Sequence, residues 1–188
     1  MEQSAKKTGK TYEMDMCSGA LFPKIVAFAV PLILSGILQL LFNAADIIVV
    51  GHFAGRESLA AVGSTTALIN LMINVFVGLS IGANVLVAQY SGAKKFKDLE
   101  ETVHTAMMIA LAGGFLLIFV GVFFSGPMLG LMGTPDDVLP LAALYLKIYF
   151  IGMPATLTYN FGAAILRAVG DTRRPLYFLL FAGAVNVV

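Results

Sequence analysis

The chain has 188 residues, of which 59% are hydrophobic and 12% charged, with a net charge of +1. A soluble domain carries ~25% charged residues, so this chain has too little polar surface to face water and reads as an integral membrane protein. One cysteine, Cys17, excludes an intrachain disulfide, and two distant histidines make no metal-ligand cluster.

The first apolar run, Ile25–Val50, follows an N-terminal segment that holds Lys6, Lys7, Lys10 and Lys24. It is longer than a removable signal core of ~7–15 residues, and Pro31 and Asp46 interrupt it, so it reads as a permanent span. The second span lies within Leu59–Ala88 and the third covers about Val103–Phe124. The fourth, Leu139–Leu166, is preceded by "GTPDDVLP". There Thr134 is expected to cap, Pro135 to take the first helical position, and Asp136 and Asp137 to face the positive end of the dipole. Pro154 gives this long span a kink site, as Pro31 does in the first. The fifth span starts at Pro175 and is still apolar at Val188, after ~21 Å of helix against a hydrocarbon core of ~30 Å. The expected fold class is an all-α integral membrane protein with four complete transmembrane helices and part of a fifth. Residues 1–20 form a cytoplasmic N-terminal segment, and residues 21–188 an incomplete transmembrane lobe.

Basic residues set the orientation. Lys94, Lys95 and Lys97 follow span two, Arg167, Arg173 and Arg174 follow span four, and the two remaining loops hold only Arg56. This places the N-terminus in the cytoplasm of a multi-pass protein of the cell membrane.

Polar residues inside the spans carry the functional argument. A charged Asp at the centre of a bilayer costs ~2.5–3.5 kcal/mol on insertion scales. Asp46 sits near the outer end of its span, where the cost is smaller, but its short side chain snorkels poorly. Gln39, Asn43 and Asp46 share one helix face, which points to a bundle interior or a wet cavity. Asn70 and Asn74 repeat the pattern in span two, span four carries Tyr145, Tyr149, Thr156, Thr158, Tyr159 and Asn160, and span five carries Asn186. Singly these are interhelical contacts; together they suggest a hydrated pocket. A carboxylate in such a pocket can exchange a proton, and the same oxygens suit sodium. Gly78 and Gly82 form a small-xxx-small pair, read as close helix packing. Lys147 is explained equally well by snorkelling and by functional pairing, and His104 is an interfacial surface residue.

"AVPLILSGILQLLFNAADIIVVGHFAGRESLAAVG", "GLSIGANVLVAQYSGAK" and "AAILRAVGDTRRP" resemble the first span and loop, the end of the second span, and the loop between spans four and five of the multidrug and toxic compound extrusion (MATE) transporters. The resemblance covers nearly all of the chain after about residue 20. It implies twelve helices in two six-helix lobes around a central cleft, this chain being the N-terminal portion with a C-terminal lobe as its partner. It implies export of organic, often cationic, compounds in exchange for H+ or Na+. It also matches Pro31, Gln39, Asp46, Tyr145, Asn160 and Asn186 to residues of the family's first lobe, where the coupling site lies. The family's second carboxylate of that lobe falls just past Val188, so a longer protein is expected.

The partners expected are the lipid bilayer and small organic molecules; no nucleic acid, metal or cofactor is expected beyond the coupling ion. A lipid-linked sugar flippase of the same superfamily is an alternative, but it needs several cavity cations and only Lys147 is available. A membrane-embedded enzyme would need paired acids, a Ser–His pair or metal ligands inside the spans, and the spans hold one deep acid. A non-transporting fragment is the third alternative.

Overall fold

A computed structural model describes residues 14 and 19–187, the last two of these by backbone only. Most of the expected N-terminal segment, with Cys17 and Lys6, Lys7 and Lys10, lies outside the described residues, as does the side chain of Asn186.

The described chain is helical: α1 Leu21–Val49, α2 Gly55–Gly92, α3 Phe96–Leu131, α4 Leu139–Ile151, α5 Met153–Ala168 and α6 Arg173–Val187. In lipid every backbone polar group needs an internal partner, which a helix supplies and an open strand does not. A π-helical turn, Val50–Ala54, joins α1 to α2. The break is at Gly55, whose φ of 84° places it where other residues are strained. A Cβ on Gly51 would lie 3.6 Å from the Leu59 side chain. Eight residues of straight helix would separate those positions by ~12 Å, so the turn packs back onto α2.

α2, α3, α4 and α5 form the core, where Leu68, Ala110, Leu117, Leu146, Phe150 and Phe161 are buried together. The close contacts come from α3. Its glycines sit under large neighbours: Gly113 under the Phe76 ring, Gly114 under the Pro154 backbone, and Gly121 under Phe150. Without a hydrophobic drive between helices in lipid, such small residues allow the close approach that gives van der Waals contact. Gly78 and Gly82, expected to serve this purpose, have nothing within 4 Å of an added Cβ. Both are exposed.

The fourth span is bent by 49° between α4 and α5, at Gly152. Pro154 lacks the N–H that would continue the ladder, and Gly114 packs against it at the bend. Pro31 is accommodated differently: α1 runs through it as one helix, and the Ser35 hydroxyl donates to the Pro31 carbonyl at 2.8 Å. The start of α4 also departs from expectation. The helix begins at Leu139 with Pro140 in its first turn, and Thr134 Oγ1 is buried without a hydrogen-bond partner. The amides of Val138 and Leu139 instead donate to the Pro135 carbonyl, so a backbone turn does the work expected of the threonine cap.

α1 pairs with α6 rather than joining the core. The Phe42 ring rests on Gly183, and the backbone of Met14 lies against Gly170. Contacts at both ends in the same chain order make the two helices parallel.

Candidate functional site

The polar stripe of α1 is open on this chain: Gln39, Asn43 and Asp46 are all exposed, whereas the sequence pattern suggested a half-buried pocket. The reason is the sparse packing of α1, on which only Pro31 is buried. Asp46 nevertheless has a neighbour from another span. Its carboxylate is within electrostatic reach of the Tyr145 hydroxyl on α4. Tyr145 is half-buried, and its ring lies 6.2 Å from that of Tyr149.

α6 adds a third side by register. Phe42 meets Gly183, Asp46 is one turn beyond Phe42, and Asn186 is about one turn beyond Gly183. In a parallel pair this puts positions 46 and 186 at the same level. Positions 46 and 186 are thus level on the paired α1 and α6, and Tyr145 on α4 is within electrostatic reach of Asp46.

Asn160 does not join them. It is half-buried on α5, about 22 Å of helix path from Tyr145, and the bend at Gly152 shortens that distance only slightly. Gln39 lies two turns below Asp46. The other polar residues of span four are mainly structural: Thr156 and Thr158 donate to the carbonyls of Gly152 and Pro154. Tyr159 donates to the Pro175 carbonyl at 3.2 Å, tying α5 to α6. Lys147 is exposed, and His104 has its Nδ1 3.0 Å from the Glu100 carbonyl, as suits a surface histidine.

Two supporting residues escaped sequence reasoning. Asn84 donates to the Ala164 carbonyl at 2.6 Å, a direct bond between α2 and α5. Asp171 is fully buried, and its Oδ1 accepts the amides of Arg173 and Arg174 at 3.1 Å each. Its Oδ2 lies 3.1 Å from Arg174 Nε, as an ion pair rather than an aligned hydrogen bond. Asp171 therefore caps the helix that faces α1. The signal was legible in "GDTRRP", an Asp two residues ahead of a helix with proline in its first turn. Asp171→Ala is expected to destabilise the fold by about 1–2 kcal/mol, while Asp171→Asn, which keeps the cap acceptor, recovers most of the loss. Thermal unfolding followed by size-exclusion chromatography measures both; an alanine variant as stable as the parent would remove the cap from this account.

Comparison with known proteins identifies the family and the fold. The MatE family profile matches residues 31–188. The probable multidrug resistance protein YoeA of Bacillus subtilis (strain 168) is 34% identical over 160 residues, covering 85% of this chain and 35% of YoeA. The probable multidrug resistance protein YpnP of the same organism is 30% identical over 176 residues, covering 93% of this chain and 39% of YpnP. A crystal structure of MATE in the bent conformation superposes with a TM-score of 0.80 at 25% identity, covering 88% of this chain and 37% of that one. The chain thus spans a little over a third of the length of these relatives. With a family match over most of its length and the same helical fold, this chain belongs to the MatE family of multidrug and toxic compound extrusion transporters.

Proposed function

We propose that the chain forms the ion-coupling lobe of a secondary transporter, which works with a second lobe to export organic, often cationic, compounds in exchange for H+ or Na+. The observation that carries the reading is Asp46: a carboxylate on a long apolar helix, within electrostatic reach of Tyr145 and level with Asn186 on α6. An ionisable residue in a membrane helix is expensive and marks an ion or proton path. Held between helices that move relative to one another, Asp46 links its charge state to helix packing. It takes up the ion when it faces outward and releases it inward. The carboxylate, the phenol and the amide suit either a proton or a sodium ion, so both belong to the proposal. The chain's similarity to the probable multidrug resistance proteins YoeA and YpnP supports organic compounds as cargo.

The test uses the full transporter in sealed proteoliposomes. An imposed proton or sodium gradient is expected to drive accumulation of ethidium against its own gradient, and the matching ionophore to abolish it. Accumulation that ignores both gradients would overturn the antiport reading.

The proposed orientation puts the N-terminus and the loops holding Lys95 and Arg174 in the cytoplasm. With Cys17 replaced by serine, a cysteine at Asp136 or Arg56 is expected to react with an impermeant maleimide on intact cells, and a cysteine at Lys95 is not. Labelling at Lys95 from outside would invert the topology.

A further inference from the structure

α2 and α3 form a hairpin closed at residues 93–95, where Lys95 N–H donates to the Tyr90 carbonyl at 3.0 Å. Beside this turn lies a groove of about 490 Å³, within the ~300–1,000 Å³ of small-molecule sites. Its lining is graded. Tyr90 from α2 and Asp98 and Glu101 from α3 stand at the turn end, Leu86 lies one turn further along α2, and Leu79 and Ile109 form the far part. Tyr90 and Leu79 are ~16 Å apart along the helix, so the groove is elongated.

The polar end offers acceptors. The hydroxyls of Thr102 and Thr105 already donate to the carbonyls of Asp98 and Glu101, at 2.7 and 2.8 Å. Among the described residues neither carboxylate is held in an ion pair. Lys94, Lys95 and Lys97 are near in sequence, but all three are exposed and none lines the groove. Two carboxylates and an aromatic ring at one end of an apolar trough are complementary to a charged head on an apolar body.

We infer that this groove binds an amphipathic organic cation, with its charged head between Asp98 and Glu101 against Tyr90 and its apolar body lying along the hairpin toward Leu79 and Ile109. A zwitterionic lipid carries the same ammonium, but its phosphate would meet two carboxylates and no basic group in the lining. A net cation therefore fits and a phospholipid does not. The site is distinct from the Asp46 stripe, and its occupancy does not depend on how export is coupled.

The chain contains no tryptophan, so Ile109→Trp places a reporter at the apolar end without background from these residues. In the purified transporter, reconstituted in phosphatidylcholine nanodiscs, dodecyltrimethylammonium brominated at its tail is expected to quench that added fluorescence saturably. Neutralising the head site with Asp98→Asn and Glu101→Gln together should raise the midpoint at least tenfold. The charge-retaining pair, Asp98→Glu with Glu101→Asp, should keep it within a few-fold and serves as the folding control. Tail-brominated dodecyl sulfate and tail-brominated phosphatidylethanolamine should give no saturable quenching. The proposal is overturned if the cation shows none, if sulfate or lipid saturates the signal equally, or if the neutralised and charge-retaining pairs behave alike.

Discussion

Asp46→Asn is expected to abolish export while leaving the protein in the membrane. The substitution keeps the size of the side chain and its capacity to hydrogen-bond, and removes only the group that changes charge. On the proposed mechanism, α1 then loses the charge change that couples its packing to the side of the membrane the site faces. Cells producing the variant should lose at least tenfold in resistance to an exported drug, reaching the level of cells without the transporter. Immunoblots of the membrane fraction should be unchanged. Asn43→Ala should do less, since it removes a neighbour on the stripe and leaves the carrier group. Tyr145→Phe should fall between them, because the hydroxyl it deletes is within reach of Asp46. Normal resistance with Asp46→Asn would make the carboxylate a structural contact.

Gly114→Ala and Gly121→Ala are expected to be the most damaging small substitutions in the core. A Cβ at Gly114 would lie 2.5 Å from the Pro154 Cα, and one at Gly121 would lie 2.3 Å from Phe150. The first neighbour is backbone and cannot rotate away. Overpacking of this kind costs about 1–3 kcal/mol, set against the ~0.5–1 kcal/mol that alanine gains over glycine inside a helix. Gly78→Ala is the matched control, with nothing within 4 Å of its added Cβ, and should be neutral or mildly stabilising. Thermal unfolding in detergent should therefore place both α3 variants below the parent and the Gly78 variant at or above it. Equal midpoints for all three would mean that α3 is not packed as described.

The spans were legible because their physical requirement is simple: a bilayer demands a long apolar helix, and the runs beginning at Ile25, Leu59, Val103 and Leu139 supply it. The bend beside Pro154 was legible from the missing proline N–H, but the same signal at Pro31 marked no break, since α1 runs through it as one helix. The close-packed glycines were not legible. Gly78 and Gly82 have the same spacing as many helix contacts, yet spacing states that two residues share a face and not what that face meets. Gly113, Gly114 and Gly121 differ from them only in having Phe76, Pro154 and Phe150 opposite. Thr134 failed as a cap for a related reason, because backbone donors and the Pro135 carbonyl satisfied each other first. In the candidate site, Asp46 was legible as a charge out of place, and Tyr145 was named without any way to tell from one dimension that it lies within electrostatic reach of Asp46. Asn160 looked equivalent to it in sequence, but the helix path between them keeps the two apart.

Asp46 is proposed to exchange the coupling ion when cargo binds. The most direct measurement is ion release from the purified transporter in weakly buffered detergent solution, read with a pH indicator for protons and a sodium electrode for sodium, as ethidium is added. The parent protein should release about one proton or one sodium ion per bound ethidium in excess of buffer controls, and the Asp46→Asn variant should release neither while still binding ethidium. Undiminished release from that variant would contradict the claim and place the coupling group elsewhere.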